Sequence, residues 1–448
     1  NGYVQTYDAI IDSKGEPLFE SGNITPLSLM DVVNDNGDGS YPNYVLYSDD
    51  FGATWKMLGG SLERGMCCDA GNEAKIEELP NGDLVVSVRR GGGRYFNIFN
   101  YGNGENDKAN GIGEWEIKAG DTKVTSNFGA ADCNGEMIRV GNVLLHSHPE
   151  GGVPNKARSN VAIYYKVIDP EKDYTASEIA TGWAELTQVS TMGSAYSVMA
   201  LLPDGKTVGF LYEEDPDDGT FAYCIVYKPI DLTKLLTAEA QKEAFVVNST
   251  IGQYEIGTFY ANDAMVVPEG VTAYVATAEP EMDGEDAQGN ATGAITMTKV
   301  EDGIIPAQTG ALICGKPGTY SFKLADTEGE TDVTKNLMPG YAGIYEHKDV
   351  ALANGYNTYV LTVKGGAAGF YRKEADFKVY NNKAYLQVPA AVSANALRIR
   401  LAGTTGIENV ETTDNGQQST AIYDLQGRRV ANPTKGIYIV NGKKVVIK

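Results

Sequence analysis

Apolar and polar residues alternate in short runs along most of this chain, and turn signals rich in glycine, asparagine and aspartate separate the runs. Alternation with a period of two is typical of half-buried β-strands. Three pairs of runs surround tight turns, in LPNGDL, IRVGNVL and LLPDGKTV. A helical period is sustained only around Leu232–Phe245, which predicts one short helix. The pattern therefore predicts an all-β chain.

The paired runs recur at a nearly constant interval. The turn glycines Gly82, Gly141 and Gly205 follow one another after 59 and 64 residues, and an earlier turn at Gly15 lies 67 residues before Gly82. A tryptophan ends the polar loop before each of the three later turns (Trp55, Trp115 and Trp183). Repeats of short strands at such a period are typical of propeller blades. We therefore predict a partial β-propeller with about four blades.

The repeat is lost after about residue 235. Short strands with turn chemistry continue to residue 403, which favours a separate β-sandwich. A polar linker, TTDNGQQS, then leads into a last group of alternating strands. We predict a propeller over 1–235, an accessory sandwich over 236–403 and a linker with a β-rich tail over 404–448. The acidic stretch Asp283–Asn290 lacks the spacing of an EF-hand and is interpreted as a solvated loop.

The charge balance narrows the choice of partners. The 448 residues include 37 basic and 59 acidic side chains, which gives a net charge of −22. Such a field repels nucleic acid and anionic membranes, so we expect neither as a partner. No run of ~18 apolar residues occurs, so no membrane span is predicted. An anionic ligand would have to be bound by a local cluster of arginines, against the field of the whole chain.

Cysteine and histidine give no sign of a metal site. The five cysteines show neither CxxC nor zinc-ligand spacing, and their odd number argues against a disulfide scaffold. We interpret them as small buried hydrophobic residues. His146 and His148 share one face of a predicted strand, but the chain has only three scattered histidines. We therefore predict no metal and no cofactor.

The segment SDDFGATW, from Ser48 to Trp55, resembles the Asp-box or BNR repeat of sialidases and related propellers. Asp50 can accept backbone N–H bonds in the turn, Gly52 permits a positive φ, and Trp55 is expected to pack inward. The resemblance implies a structural loop that faces away from the active site. It also implies six blades, so we expect two further blades, roughly 120 residues, before Asn1.

Three segments taken together are similar to bacterial exo-sialidases, or neuraminidases, within about residues 1–230: NEAKIEELPNGDLVVSVRR, SHPEGGVPNKARSNVAIYY and AYSVMALLPDGKTVGFLYEE. The resemblance implies that Tyr196 is the nucleophile and that Glu73 is its base. It further implies that Arg89 and Arg158 bind the substrate carboxylate. Glu213 matches a glutamate that holds another arginine in place.

These residue types suit a sugar that carries its own negative charge. A carboxylate nucleophile would be repelled by the substrate carboxylate, whereas a neutral phenol is not, and sialidases are an exception to the two-carboxylate rule. A phenol with a pKa near 10 is mostly protonated at neutral pH and needs a base beside it. Guanidinium groups bind a carboxylate through two parallel hydrogen bonds, which lysine cannot do.

The register of two hairpins decides which side chains share a face. A two-residue turn at Asn81-Gly82 would place Glu73 opposite Arg90, whereas a three-residue loop or a bulge would place it with Arg89. The family pattern favours Arg89, and Arg90 is the alternative. In the next hairpin, a two-residue Asp204-Gly205 turn would place Tyr196 directly opposite Glu213.

Two parts of the family pattern have no match: the first arginine of the carboxylate-binding triad and the aspartate that acts as general acid–base. We expect both before Asn1, so this chain alone should turn over sialosides slowly or not at all. The final ~30 residues, with AIYDLQGRRV and KGIYIV, resemble the sorting tails of bacterial type IX secretion substrates. That resemblance implies export to the periplasm, the cell surface or the medium.

The leading hypothesis is an exo-α-sialidase that removes terminal sialic acids with retention of configuration, with sialylated glycoproteins, glycolipids and oligosaccharides as partners. Transfer to another sugar, or intramolecular release of an anhydro product, would use the same residues. Two other classes stay open: a non-catalytic propeller that binds sialic acid, and a surface adhesin whose sandwich binds glycans. The sequence upstream of Asn1 and a deletion of the sandwich would distinguish them.

Overall fold

The computed structural model describes residues 42–402, apart from 49–52, 91–92, 130, 153–156, 216–222, 286–288, 344 and 365. Outside that range it describes only the backbone of short strand segments, at 2–6, 19–20, 23–24, 41, 422–423, 436–440 and 443–447. The Asp-box residues Asp50 and Gly52, the turn at Gly15 and most of the C-terminal tail lie outside the described residues.

The chain divides into two compact units. The first comprises residues 1–249 with 321–326 and 343–346, and the second comprises 250–320, 327–342 and 347–448. The first unit contains strands β1 (Gly2–Thr6), β2 (Phe19–Glu20), β3 (Asn23–Ile24), β4 (Tyr41–Ser48), β5 (Lys56–Met57), β6 (Met66–Gly71), β7 (Ala74–Glu78), β8 (Leu84–Arg90), β9 (Gly93–Tyr101), β10 (Gly113–Trp115), β11 (Val124–Thr125), β12 (Glu136–Val140), β13 (Val143–Pro149), β14 (Val161–Val167), β15 (Ala184–Gln188), β16 (Gly193–Leu201), β17 (Thr207–Asp215) and β18 (Cys224–Asp231).

Four antiparallel sheets follow one another along the described part of this unit: β1 with β4 to β6, β7 to β11, β12 to β15, and β16 to β18. A separate hairpin joins β2 and β3. The first strands of consecutive sheets lie side by side, β1 by β7, β7 by β12 and β12 by β16. This is the arrangement of the innermost strands of a propeller.

The core of the first unit lies between successive sheets. Val45, Val86 and Phe99 belong to a cluster between the first and second sheets, and Trp115 is buried in it. A second cluster, with Trp183, joins the second and third sheets, and a third cluster joins the third and fourth. The prediction of an all-β chain built on propeller-type sheets is confirmed. Trp55, expected to pack inward, is only half-buried.

The turns that mark the repeat differ in length. The turn at Gly141 joins β12 and β13 through two residues, since Val140 pairs with Val143. The turn at Gly82 has three residues, because Leu79 N–H donates to the Asp83 carbonyl at 2.8 Å. Gly82 has φ +90°, a conformation that a residue without a side chain adopts at little cost.

Two short helices replace the single helix predicted over 232–245. They are α3 (Leu232–Leu235) and α4 (Ala238–Ala244), and the earlier helices α1 (Leu62–Gly65) and α2 (Ala176–Ala180) were not predicted. The interruption has a local cause. Thr237 is extended at ψ 157° and its side chain accepts from Ala240 N–H, so a new helix begins there.

One face of the fourth sheet is apolar and exposed. Val198 pairs with Leu211, and Leu211 pairs with Tyr227, so the three side chains form a cross-strand row. They are 46%, 41% and 53% exposed. Ile225 lies on the same strand and is also exposed. A row of this kind is unusual on a free surface, where large contiguous apolar patches are rare.

The remaining strands belong wholly or partly to the second unit: β19 (Val247–Ile251), β20 (Ile256–Phe259), β21 (Met265–Val266), β22 (Val271–Val275), β23 (Glu281–Glu285), β24 (Ala291–Lys299), β25 (Ile304–Ile305), β26 (Ala311–Gly315), β27 (Gly318–Leu324), β28 (Gly340–Tyr341), β29 (His347–Val350), β30 (Tyr356–Lys364), β31 (Ala367–Arg372), β32 (Phe377–Tyr380), β33 (Lys383–Ala384), β34 (Leu386–Pro389), β35 (Ala396–Leu401), β36 (Ile422–Tyr423), β37 (Gly436–Val440) and β38 (Lys443–Ile447). Nine of them form one large sheet, in which β24 and β35 run parallel. Its core includes Ile295, Tyr359 and Phe370.

The five cysteines are all unpaired. Cys67, Cys68 and Cys133 are buried as expected, but Cys224 is exposed and Cys314 is half-buried. The difference at Cys224 arises from its position, since it begins β18 at the edge of the fourth sheet. None of the helices in the described residues is both long and apolar enough to cross a membrane.

Candidate active site

The predicted nucleophile and base meet at one end of the first unit. Glu73 immediately precedes β7, and Tyr196 is the fourth residue of β16. Both lie at the starts of innermost strands, the end opposite the turns at Gly82 and Gly205. The Tyr196 hydroxyl donates to Glu73 Oε1 at 2.8 Å. Residues 123 positions apart in sequence thus form a direct hydrogen bond.

Arg89 shares this carboxylate with Tyr196. The three-residue loop at Gly82 brings Arg89 opposite Glu73, and Arg89 N–H donates to the Glu73 carbonyl at 2.8 Å. Arg89 Nη1 then donates to Glu73 Oε2 at 2.6 Å. Successive side chains alternate between the faces of a strand, so Arg90 is directed to the other face. The three-residue alternative is therefore the one that the hairpin adopts.

Asp132, which the sequence reasoning missed, holds the other side of Arg89. Arg89 Nε donates to Asp132 Oδ1 at 2.7 Å. Burial works against the charge of Arg89, but the hydrogen bonds to Asp132 and Glu73 raise the pKa of its guanidinium above the usual value. Asp132 lies in the loop before the innermost strand β12, four residues ahead of its first residue, whereas Glu73 immediately precedes β7. Both residues lie nine positions before a turn glycine, Gly141 and Gly82 respectively, and that spacing is the signal that could have drawn attention to Asp132, although it does not give the direction of the side chain.

A β-bulge presents Tyr196. Ser197 pairs with Tyr212, but Ser194 pairs with Glu214, so Ala195 and Tyr196 together oppose Glu213. The prediction that Tyr196 pairs directly with Glu213 is therefore wrong, because the bulge places two residues of β16 opposite Glu213. The Tyr196 N–H donates to Glu213 Oε2 at 3.1 Å instead of joining the ladder. Bulges of this type re-aim side chains, and Tyr196 is 40% exposed while Ala195 is buried.

The environment of Tyr196 keeps its proton directed at Glu73. The hydrogen bond to the Glu73 carboxylate, followed by burial, raises the pKa of the Tyr196 phenol, and the charge of Arg89 opposes this shift. A phenolate beside an unprotonated Glu73 would place two negative charges together. Loss of the phenol proton is therefore favourable only if Glu73 receives it.

Arg158 is placed beside the strand of Tyr196 through its backbone. Ser194 N–H donates to the Arg158 carbonyl at 3.0 Å, and Ser159 forms a bridge to Gly193. The residue is half-buried. Within the described residues its guanidinium has no carboxylate at ion-pair distance, unlike that of Arg89. Glu213 likewise has no arginine partner within the described part of the chain, so its described contact is with Tyr196.

A buried polar network lies behind these residues. Arg94 is fully buried, and its Nε donates to Ser87 Oγ at 3.0 Å. Ser87 Oγ in turn lies 2.8 Å from His146 Nε2, and His146 Nδ1 lies 3.4 Å from His148 Nδ1. Burial lowers the pKa of His148 to about 3 and that of His146 as well. No group of three or more potential metal-ligating side chains occurs in the described regions.

No protein-family model and no curated protein matches this sequence. Among solved structures, the chain is similar to Trypanosoma rangeli sialidase, at 14% identity and a TM-score of 0.31, with 80% of this chain and 63% of that chain covered. It is similar to a GH93 α-L-arabinofuranosidase of Fusarium graminearum at 11% identity and a TM-score of 0.26, with 43% and 55% covered. Native Bacillus subtilis arabinanase matches at 11% identity and a TM-score of 0.26, with 44% and 67% covered. These are glycoside hydrolases by name, and the chain spans less than two thirds of the length of the sialidase.

Proposed function

We propose that the complete protein is an exo-α-sialidase that cleaves terminal sialic acids from glycoconjugates with retention of configuration. The observation that carries this proposal is the hydrogen bond of 2.8 Å between the Tyr196 phenol and the Glu73 carboxylate, with Arg89 at the second oxygen of Glu73. A tyrosine that is hydrogen-bonded to a carboxylate is suited to act as the nucleophile on a substrate whose own negative charge would repel a carboxylate nucleophile.

The residues would act in two steps. In the first, Glu73 accepts the phenol proton while Tyr196 Oη forms a bond to the anomeric carbon and the bond from that carbon to the aglycone oxygen breaks. The departing oxygen takes a proton from an acid outside the assigned residues. In the second, water attacks the anomeric carbon and gives its proton to the conjugate base of that acid, while the bond to Tyr196 breaks and Tyr196 Oη regains a proton from Glu73.

Arg89 and Arg158 would bind the substrate carboxylate. Arg89 is held rigidly by two carboxylates, and Arg158 has no competing ion pair in the described residues. Guanidinium groups at fixed positions orient the carboxylate on the anomeric carbon and thereby place that carbon near Tyr196 Oη. The tail that resembles a secretion signal remains a prediction, and it would bring such an enzyme to glycans outside the cytoplasm.

The test is Tyr196→Phe in the complete protein, assayed with a fluorogenic sialoside. Loss of the hydroxyl should lower kcat by at least ~100-fold, because no covalent intermediate can form. Tyr227→Phe is the matched control, since Tyr227 lies on the same sheet and is exposed. A rate for Tyr196→Phe close to that of the control would contradict the assignment. Binding of sialic acid without turnover by the wild type would instead indicate the non-catalytic propeller.

A second measurement examines the intermediate directly. A sialyl fluoride that also carries fluorine at the carbon next to the anomeric centre should react with Tyr196 to form the covalent intermediate. The second fluorine should slow the hydrolysis of that intermediate, so that it accumulates. Mass spectrometry of the digested protein should find the added sugar on the peptide that contains Tyr196. A label on Glu73, or none while the substrate is being turned over, would exclude the tyrosine mechanism.

A further inference from the structure

The guanidinium of Arg89 already donates to a protein carboxylate from two of its three nitrogens. A carboxylate binds arginine through two nitrogens at once, either Nε with Nη2 or Nη1 with Nη2. Nε donates to Asp132 at 2.7 Å, and Nη1 donates to Glu73 at 2.6 Å. Within the described residues only Nη2 has no hydrogen-bond partner. Because Nε has only one hydrogen, a ligand carboxylate cannot make a two-point contact with the Nε–Nη2 edge of Arg89 until Asp132 leaves.

The two carboxylates differ in how firmly they are held. The side chain of Glu73 is 16% exposed and also accepts from Tyr196. The side chain of Asp132 is 61% exposed, and its only hydrogen bond to the described residues is the one to Arg89. Displacing Asp132 exposes a carboxylate that is already largely solvated, whereas displacing Glu73 would break the contact with the phenol. Asp132 is therefore the group that yields.

We propose that Asp132 occupies the place of the ligand carboxylate on the Nε–Nη2 edge of Arg89 and is displaced when an anionic ligand binds. It thereby sets the affinity of the site for carboxylates without contacting the reacting atoms. The proposal rests on the function proposed above, in which Arg89 binds the carboxylate of the sugar. It adds that the empty site contains its own competitor for that carboxylate.

The consequence is an affinity that removal of Asp132 increases. Exposed ion pairs contribute little and hydrogen bonds to charged groups contribute more, so Asp132→Ala should bind N-acetylneuraminic acid about 3- to 10-fold more tightly than the wild type. Asp132→Asn keeps an oxygen that can accept from Nε but loses the charge, so it should lie between the two. The methyl ester of the sugar has no carboxylate, and its affinity should not change.

The experiment measures dissociation constants by calorimetry for the wild type, Asp132→Ala and Asp132→Asn. Asp349→Asn is the control for net charge, because Asp349 is an exposed carboxylate in the second unit. Acetate serves as a second probe that does not depend on sugar recognition. It is followed through the Nε–H signal of Arg89 in protein labelled with 15N-arginine, assigned by its loss in Arg89→Lys.

The outcomes separate this proposal from the function on which it rests. Tighter binding of both the sugar acid and acetate by Asp132→Ala supports both. Tighter binding of acetate with no binding of the sugar by any of the proteins supports the role of Asp132 and refutes sialic acid as the ligand. Equal or weaker binding of acetate by Asp132→Ala, including no measurable binding by either protein, overturns the competition. Asp132 would then only hold Arg89 in position.

Discussion

The substitution Arg94→Lys tests how far the buried guanidinium holds the site together. Arg94 is 1% exposed, and its three nitrogens donate to Ser87 Oγ at 3.0 Å, to the Ser87 carbonyl at 2.8 Å and to the Cys133 carbonyl at 3.2 Å. Ser87 lies on the strand that carries Arg89, and Cys133 follows Asp132. The guanidinium of Arg94 thus connects strand β8, which carries Arg89, to the loop that carries Asp132, the hydrogen-bond partner of Arg89.

The expected loss follows from the hydrogen bonds that lysine cannot reproduce. Burial lowers the pKa of Arg94 to about 10, so the group is still charged at neutral pH. Lysine keeps the charge, but its single ammonium cannot reach acceptors spread around a plane. Hydrogen bonds to a charged group contribute about 1.5–3 kcal/mol each, and a buried acceptor left unbonded costs a further 1–3 kcal/mol. If two of the three contacts are lost, the hydrogen bonds alone amount to about 3–6 kcal/mol, so the free energy of unfolding should fall by at least about 3 kcal/mol.

Tryptophan emission is the suitable assay, because all three tryptophans lie before residue 249 and report on the first unit alone. With a urea m-value of about 3 kcal/mol/M, the midpoint of unfolding should fall by at least about 1 M. Arg64→Lys is the matched control, since Arg64 is exposed and its change should stay within about 0.5 kcal/mol. Equal midpoints for the two variants would refute the claim that the guanidinium contacts stabilise this part of the fold.

Three further predictions concern acid stability, the bulge and the exposed sheet face. Burial lowers the pKa of His148 to about 3, so below pH ~6.5 the unfolded chain binds a proton that the folded chain does not, and the unfolding free energy should fall by about 1.4 kcal/mol per pH unit for this group. Between pH 6 and 4, His148→Gln should reduce the dependence of the unfolding free energy on pH, measured by urea titration, by about 1.4 kcal/mol per pH unit. An unchanged pH dependence would contradict the lowered pKa of His148. Glu213→Gln keeps an oxygen that can accept from the Tyr196 N–H, so its kcat should stay within about 3-fold of the wild-type value. Glu213→Ala removes that acceptor, and its kcat should fall about 10- to 100-fold because the phenol is misplaced. Equal losses of kcat in the two variants would show that the charge of Glu213 matters and the hydrogen bond to the backbone does not. We expect the exposed apolar row of Val198, Leu211 and Tyr227 to cause self-association of the chain. Leu211→Lys should therefore lower the apparent mass measured by light scattering at high protein concentration, and equal masses for the variant and the wild type would contradict this expectation.

Periodic features were readable from the sequence because each copy of the repeat obeys the same local rules. Alternating residues predict strands, and the turn glycines that punctuate them give the period of the sheets. The hydrogen bond between Tyr196 and Glu73, in contrast, could not be predicted from such local rules. No local rule connects residues from two sheets, so their pairing came from the family resemblance alone. The structure places them together at 2.8 Å, and their catalytic roles remain predictions.

What the sequence did not reveal depends on single residues that break the regular pattern. One extra residue in β16 changes the partner of the Tyr196 N–H from a strand carbonyl to the Glu213 carboxylate. Turn chemistry alone extends the regular register and so cannot detect a bulge. Asp132 was missed because it lies in a loop without periodicity, where side-chain direction cannot be inferred. The three-residue loop at Gly82 could only be stated as an alternative, because Asn-Gly is equally suited to a two-residue turn.

The two arginines proposed to bind the substrate carboxylate are not equivalent, and this follows from charge as much as from position. Arg89 is matched by two carboxylates, so the group formed by Glu73, Arg89 and Asp132 has a net charge of −1 and does not attract an anion. Arg158 has no carboxylate at ion-pair distance among the described residues, so its charge is not paired there in the way that the charge of Arg89 is. Attraction of an anionic sugar to a chain with a net charge of −22 must then depend on Arg158 and on cations outside these residues. Arg89 orients the ligand carboxylate, because Glu73 and Asp132 fix the plane of its guanidinium before the ligand binds. When the ligand carboxylate replaces that of Asp132, the charge around the guanidinium changes little.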